Sequence, residues 1–175
     1  MNTKLIGNKE IFAIEYSVLT VNPSPPYGDC LLWVGGNSLG GLEGEAYLHM
    51  ICRELEGKLS IQEQLFLEEY LYKLSDTDLF DLMREHKLDE KGKYVFLYTE
   101  GFDLFRSYIY RRNETFYFLW QLDQEVWKEF EPQGVSTQLF SVQVPISIYE
   151  EIVGDFRKAL MQLYDFTLVQ RSWFS

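Results

Sequence analysis

The sequence predicts an α+β fold, with a mainly antiparallel sheet, helices packed on one side of it, and a single domain over residues 1–175. Three observations lead to this prediction. Residues 11–34 have the two-residue apolar repeat of strands, residues 43–86 change to a helical repeat, and residues 94–144 return to alternation before a last helical stretch. Because strands and helices are segregated along the chain, antiparallel pairing is favoured over a parallel sheet.

Two strands are predicted to open the fold. Residues 11–21 place aromatic and β-branched side chains at every second position, which is typical of a strand. Residues 22–29 contain three prolines and a glycine and therefore predict a loop, and residues 30–34 predict a second, more buried strand. The glycine-rich stretch 35–41 predicts a turn that leads into a helix.

The middle of the chain predicts three helices. The first has apolar residues at helical spacing from about residue 43 to Leu59. Ser60 and Glu63 form a capping-box pattern that predicts the start of the second helix. Ser75 or Asp76 is expected to cap a third, short helix that ends near His86. The apolar stripe of the second helix comprises Ile61, Leu65, Phe66, Leu67, Tyr70 and Leu74.

A second β region follows a predicted turn at residues 89–93. Residues 94–99 predict one strand, and residues 106–122 predict two strands joined by a hairpin turn around Asn113. Residues 136–144 predict another strand, which Pro145 ends. Ser147 then opens a last helix, and the apolar tail from residue 165 is expected to dock onto the fold. The apolar face of this helix comprises Ile148, Ile152, Phe156, Leu160 and Leu163.

The charge of the chain indicates what kind of partner it binds. The formal net charge is −11, and residues 43–92 contain 13 acidic against 6 basic residues. A protein this acidic repels phosphate backbones, so the sequence predicts no direct binding of nucleic acid. It attracts basic partners instead and accelerates their association.

Several features predict a cytoplasmic protein. No run of 18 apolar residues is long enough for a membrane span, and the N-terminus lacks the apolar core of a signal peptide. Cys30 and Cys52 fall in a strand-like and a helix-like stretch, which predicts two reduced, buried thiols.

Ser38 lies in a pattern, Gly-Asn-Ser-Leu-Gly, that matches the nucleophile elbow of serine hydrolases. That elbow needs several strands built before it, whereas only 37 residues precede Ser38. It also needs a histidine base, and neither His49 nor His86 lies at a suitable place in the chain order. We therefore interpret the pattern as a glycine turn and predict that the protein is not an enzyme.

Metal and phosphate sites are not predicted either. Gly35 and Gly40 match the glycine spacing of a phosphate-binding loop, but Gly41 and Leu42 stand where lysine and serine or threonine are required. His49 and Cys52 lack a second pair of ligands for zinc. The spacing of Asp76, Asp78 and Asp81 begins like a calcium loop, but the glycine and closing glutamate are missing. No cofactor is therefore predicted.

The opening region resembles the N-terminal signature of Imm42-type immunity proteins of bacterial polymorphic toxin systems. Members begin with a strand of the form F-A-I-E, followed by a second strand that ends in a tryptophan and a glycine–asparagine turn. The resemblance covers about 40 residues closely, and helices follow the glycine turn as they do in the family. The matching residues are Phe12, Ala13, Ile14, Glu15, Trp33, Gly36, Asn37, Leu39 and Gly40.

This resemblance implies an antidote in the cytoplasm of the toxin-producing cell. Such a protein binds the C-terminal toxin domain of a cognate partner, which in contact-dependent growth inhibition arrives on a cell-surface delivery protein. Many of these toxins are nucleases, which are basic because they bind phosphate. The resemblance thus implies stoichiometric neutralisation by a monomer or a weak dimer, and its expected basic partner agrees with the net charge of this chain.

Six acidic residues of the central segment are the candidate partner-binding residues. They are Glu63, Glu68, Glu69, Asp76, Asp78 and Asp81. The alternative to an immunity protein is an acidic adaptor or regulatory domain that binds another cellular protein. A third hypothesis is an enzyme that uses Ser38, His49, His86 or Cys52.

Overall fold

The computed structural model describes residues 3–19, 25–41, 45–88, 92–123 and 136–163. Strands and helices are segregated and every strand pair is antiparallel among these residues, which confirms the predicted α+β class. The elements are β1 (Lys4–Asn8), β2 (Phe12–Tyr16), β3 (Tyr27–Val34), β4 (Asn37–Leu39), β5 (Glu45–Tyr47), α1 (Leu48–Ser60), α2 (Asp76–Arg84), β6 (Phe105–Arg112), β7 (Thr115–Leu122), β8 (Phe140–Pro145) and α3 (Ile146–Leu163).

The first sheet has the order β1-β2-β3-β4, and β5 pairs with the beginning of β3. The alternation that predicts β2 is confirmed, since Phe12, Ile14 and Tyr16 are buried. Strand β1 was not predicted, because it is an edge strand whose side chains are mostly exposed and therefore lack a clear apolar repeat. Strand β3 also begins at Tyr27, inside the predicted loop, and β5 occupies the predicted beginning of α1.

The glycine stretch forms a hairpin, so the prediction that it leads directly into a helix was wrong. Val34 pairs with Asn37 across a two-residue loop, Gly35–Gly36, in which both residues have positive φ. Two positive φ angles are the requirement of a type I′ turn, the hairpin turn whose twist matches that of the strands. The chain therefore returns along β3 as β4 before it reaches α1.

The second sheet has the order β6-β7-β8. Strands β6 and β7 form a long hairpin from the pair Phe105–Leu122 to the pair Arg112–Thr115, and Asn113 has a φ of 52° in its turn. This confirms the predicted hairpin. Pro145 is the last residue of β8, and α3 begins at the next residue, one position before the predicted start. The predicted apolar tail lies outside the described residues.

The helices are divided between the sheets. Helices α1 and α3 pack on each other and on the first sheet, and Tyr149 of α3 contacts the rings of Phe12 and Phe118 between the two sheets. Helix α2 packs against β6 through Phe80 and Tyr108. Tyr108 and Phe118 lie on opposite faces of the second sheet because side chains alternate along a strand and Phe118 pairs with the neighbouring residue of β6. The second sheet is therefore covered on both faces.

Two predicted elements are absent from the described residues. Residues 61–74 form two short 3-10 turns, Gln62–Gln64 and Glu69–Lys73, in place of the predicted second helix. Ser60 does not cap that helix, since its hydroxyl donates to the Gly57 carbonyl at 2.7 Å. Residues 94–99 make only an isolated bridge, Val95–Tyr108, in place of a strand. Both segments lie along β6 and share its free edge. For residues 61–74, this tertiary pairing overrides a local helical preference.

Candidate protein-binding surface

The central acidic segment lies along the edge of the second sheet. Residues 61–74 run along β6, and α2 then covers the neighbouring part of the sheet. We give the name acidic–aromatic surface to seven of the exposed side chains of this region. It comprises Phe66, Glu68, Glu69, Tyr70, Leu74, Asp76 and Asp78.

Arg111 anchors the segment to β6. Its backbone N–H donates to the Leu65 carbonyl at 2.9 Å, and its guanidinium carbon lies 4.7 Å from the centre of the Phe66 ring. Only 6% of Arg111 is exposed. Its side-chain N–H groups donate to Asn113 O at 2.7 Å, Glu114 Oε1 at 2.9 Å, Gln62 Oε1 at 3.3 Å and Glu63 Oε1. The charged, multiply bonded guanidinium fixes where the segment lies, because such hydrogen bonds are the strong ones.

The six predicted acids differ in whether a basic partner neutralises them. Glu63 forms an ion pair with Arg111, and Asp81 forms one with Arg84 at 2.8 Å. Within the described residues, no ion pair involves the other four, Glu68, Glu69, Asp76 and Asp78. All four are exposed. The structure thus brings the six residues to one region and leaves the charge of four of them available to a partner.

Helix α2 holds two of these acids at its first turn. The Ser75 hydroxyl accepts from the backbone N–H of Asp78 at 3.1 Å and donates to the Asp78 carboxylate at 2.6 Å. This confirms Ser75 as the cap. A carboxylate is favourably placed near the positive end of the helix dipole, and the two hydrogen bonds with Ser75 hold Asp78 in that position.

Three apolar side chains stand beside the acids. Tyr70 is 61% exposed, Phe66 39% and Leu74 37%. Their helical spacing had predicted a buried stripe, but without the helix they point to solvent while Leu65, Leu67 and Leu71 are buried. The only sequence feature that could have indicated exposed aromatic side chains was the high aromatic content of the chain. Exposed apolar side chains beside acidic groups are typical of a protein-binding surface.

The signature residues build the first sheet. Phe12 and Ile14 are fully buried, and Gly40, with a φ of 93°, packs so closely on Phe102 that a β-carbon there would collide with its ring. Asn37 Nδ2 donates to the Gly35 carbonyl at 2.9 Å and stabilises the hairpin turn, where Gly36 has a φ of 78°. These residues fix the fold of the sheet.

Glu15 and Trp33 are signature residues that contact each other through polar groups. The Trp33 Nε1–H donates to Glu15 Oε2 at 2.7 Å, and Lys9 Nζ lies 2.5 Å from the same oxygen and 4.1 Å from the Trp33 ring centre. The hydrogen bond from Lys9, followed by that from Trp33, lowers the pKa of the Glu15 carboxyl. The cluster therefore keeps Glu15 charged and links the β1–β2 turn to β2 and β3.

The candidate catalytic groups are spread over three parts of the fold. Ser38 is exposed on β4 opposite Trp33, His49 and Cys52 are on α1, and His86 follows α2. Burial lowers the pKa of His49 and raises the pKa of Cys52 to about 12, which makes the Cys52 thiol a poor nucleophile. Both cysteines are buried, as predicted. In the described part of the chain, no three metal-ligating side chains come together.

The comparisons with known proteins identify the family. The model of the family Immunity protein 42 (Imm42) matches residues 1–159. The chain belongs to the Imm42 family. No curated protein sequence matches it. This membership confirms the resemblance carried by Glu15, Trp33 and the glycine turn, supports a toxin-neutralising immunity role, and implies an inhibitor rather than an enzyme.

A solved structure shares the fold of this Imm42 protein. The crystal structure of CdiI from Burkholderia dolosa AUO158 is similar with a TM-score of 0.66 over 89% of this chain and 99% of the other, at 12% sequence identity. At that identity the similarity concerns the fold. Within the described ranges of the Imm42 chain, no helix is both long and apolar enough to pass through a bilayer.

Proposed function

We propose that this Imm42 protein acts in the cytoplasm and neutralises a cognate toxin by forming a stoichiometric complex with its C-terminal toxin domain. The toxin belongs to a contact-dependent growth inhibition system, as the name of the similar CdiI structure suggests by analogy. One observation carries the choice of surface. Four carboxylates without an ion-pair partner among the described residues and three exposed apolar side chains lie together in sequence, on the anchored segment 61–74 and on the first turn of α2 that follows it.

The toxin is proposed to be a basic nuclease. The chain has a formal net charge of −11, and a partner that binds phosphate backbones has the opposite charge. Opposite charges raise the association rate, which for an immunity protein determines how early the toxin is captured. Tyr70, Phe66 and Leu74 are proposed to give the complex its lifetime, because buried aromatic side chains contribute most to interface stability.

Mixing the Imm42 protein with the toxin domain encoded beside its gene tests this proposal. We expect a 1:1 complex in size-exclusion chromatography with light scattering, and loss of toxin activity at equimolar ratio. The dissociation constant should rise steeply between low and high salt because exposed charges are screened. Absence of a complex, with full toxin activity in the presence of the Imm42 protein, would reject the function.

The same experiment separates immunity from the adaptor alternative. An adaptor binds a cellular protein and leaves the toxin active, so a toxin assay at equimolar ratio gives opposite results for the two functions. A nuclease assay on the free toxin domain tests the substrate class independently, since a toxin without nuclease activity would reject that part of the proposal while leaving neutralisation intact.

A further inference from the structure

A groove that shares Phe66 and Glu69 with the acidic–aromatic surface has a lining of net positive charge. It lies between the 3-10 turn Glu69–Lys73 and the turn of the β6–β7 hairpin, and has a volume of about 460 Å³. This is within the range of about 300–1,000 Å³ of ordinary ligand sites, so a whole side chain of a partner fits into it. The lining residues are Phe66, Glu69, Tyr72, Lys73, Arg112 and Asn113.

Arg112 is held in this groove by an aromatic ring. Its guanidinium carbon lies 4.6 Å from the centre of the Tyr72 ring, a stacking distance. The neighbouring Arg111 uses its N–H groups on four acceptors of the protein. Arg112, in contrast, is exposed and makes no ion pair or side-chain hydrogen bond with the described residues. The guanidinium of Arg112 is therefore held in place by Tyr72, and its N–H donors are available to a partner.

The charge of the groove is unexpected for a surface that attracts a basic partner. Lys73 and Arg112 give it two positive charges against the single negative charge of Glu69. Two cations at this place weaken the attraction of the neighbouring carboxylates for any basic protein. A stacked arginine with free N–H groups is, however, the arrangement that binds a carboxylate through two parallel hydrogen bonds.

We propose that this groove binds the carboxylate of an aspartate or glutamate side chain on the toxin and thereby determines which toxin is recognised. Arg112 holds the carboxylate, Lys73 adds a second cation, and the rings of Phe66 and Tyr72 pack against the methylene groups of the bound side chain. A basic toxin with lysine or arginine at that position meets two cations and is rejected, which is how specific interfaces discriminate. The inference rests on the proposed function and adds a specificity-determining contact to it.

One substitution tests the inference, because the groove and a simple charge effect predict opposite changes in the stability of the complex. If the surface acted only through its net charge, Arg112→Gln would make it more negative and tighten binding to a basic toxin. The groove proposal expects the opposite: the dissociation rate of the 1:1 complex rises about 10- to 100-fold, while the association rate stays the same or increases slightly. Both rates are measured by surface plasmon resonance with the immobilised toxin domain encoded beside the gene.

A matched control changes the net charge equally at another site. Arg106 lies on the same face of β6, pairs with Asp123 at 2.6 Å, and is outside the groove. Arg106→Gln should leave the dissociation rate unchanged. Tyr72→Leu, which removes the stack but no charge, should raise the dissociation rate, whereas Tyr72→Phe should retain slow dissociation. Thermal unfolding of each variant verifies that it folds.

Substitutions on the toxin complete the test. Each exposed aspartate or glutamate of the toxin domain is replaced by its amide. One of these toxin variants should dissociate from the wild-type Imm42 protein faster than the unmodified toxin does. From Arg112→Gln, that variant and the unmodified toxin should dissociate at the same rate. An Arg112→Gln variant that binds as tightly as wild type, or more tightly, would overturn the groove and leave the proposed immunity function standing. Failure of the wild-type protein to bind the toxin at all would overturn both.

Discussion

Trp33 donates its indole N–H to the Glu15 carboxylate at 2.7 Å, so these two residues of the family signature are joined on one face of the first sheet. Side chains two residues apart on a strand share a face, and in the register of β2 and β3 Ala13 lies opposite Trp33. Glu15 is therefore the diagonal neighbour of Trp33. Lys9 reaches the same carboxylate from the β1–β2 turn. Two signature residues and Lys9 thus form a contact that links β2, β3 and the β1–β2 turn.

This contact predicts a pH dependence of stability. The pKa of Glu15 is lowered in the folded state by hydrogen bonds from Lys9 and Trp33, so the ionised carboxylate stabilises the fold. Its contribution is complete above the ordinary glutamate pKa and is lost as the pH falls through the lower folded pKa. The unfolding free energy of Glu15→Gln should therefore be below that of wild type at pH 7, with a difference that shrinks in acid.

Urea titrations of both proteins between pH 7 and pH 3 measure the difference. Lys9→Met is the control, because it removes the largest cause of the shift and keeps the Trp33 hydrogen bond. Its pH dependence should lie between those of wild type and Glu15→Gln. A difference between wild type and Glu15→Gln that stays constant over the whole pH range would contradict the assignment.

A second prediction concerns the Arg111 anchor. Arg111→Met should destabilise the protein by about 2 kcal/mol, through lost charged hydrogen bonds and the lost contact with Phe66. The side chains of Glu63 and Glu114 are 76% and 85% exposed, so both remain hydrated when the arginine is removed. The double variant Glu63→Gln/Glu114→Gln instead leaves a buried cation without an anionic partner.

Combining the substitutions separates these effects. The triple variant Arg111→Met/Glu63→Gln/Glu114→Gln should have a higher free energy of unfolding than the summed losses of the single and double variants imply. The reason is that removal of Arg111 eliminates the unpaired cation. Hydrogen exchange should show increased opening of residues 61–74 in Arg111→Met, with α3 unaffected. Strict additivity of the free energies, with unchanged exchange in the segment, would show that Arg111 does not anchor it.

A third prediction concerns the acidic residues of the acidic–aromatic surface. Glu68→Gln, Glu69→Gln and Asp76→Asn together should reduce the association rate with the toxin domain about 10-fold at low salt and change the dissociation rate less. A triple variant with the same change in net charge, Glu10→Gln, Glu150→Gln and Glu151→Gln, alters exposed residues elsewhere and should have a smaller effect. Stopped-flow measurements at several salt concentrations compare them, and equal effects of both variants would place docking on another face.

A fourth prediction concerns Gly40. Gly40→Val should destabilise the protein by about 3 kcal/mol or more, because a β-branched residue must adopt a positive φ and collide with Phe102. Gly57→Ala is the matched control, since a β-carbon at this helical glycine meets no atom within 4 Å. It should be neutral or raise the unfolding free energy by up to about 1 kcal/mol. Thermal unfolding checks both, and a Gly40→Val variant as stable as wild type would contradict the close packing.

Elements with a strong local signal were predictable from sequence. The β6–β7 hairpin has an alternating pattern on both sides of Asn113, and α2 has a serine cap followed by an acidic first turn. Each signal is contained within a short window of residues, and the local preference agrees with the packing. The same holds for α3, which begins directly after Pro145.

The conformation of residues 61–74 could not be predicted in this way. Residues 61–74 have a helical apolar repeat, yet they lie along β6 because Arg111 N–H and the Tyr94 hydroxyl donate to Leu65 O and Phe66 O. Arg111 and Glu63 are 48 residues apart, so no local pattern contains both. The loss of the helix exposed Tyr70 and Leu74, which the repeat had placed in the core.

The sequence by itself determined the α+β class, the main hairpin, the capped helix α2, the acidity of the central segment and, through Glu15, Trp33 and the glycine turn, the family. The tertiary structure alone decided that the strands divide into two sheets, which acids remain without an ion pair, and that Arg112 faces an open groove. The physical reason is that backbone preference depends on residues close together in the chain and net charge depends on composition, so both can be read from the sequence. Whether a carboxylate or a guanidinium is neutralised depends on side chains that only folding brings together.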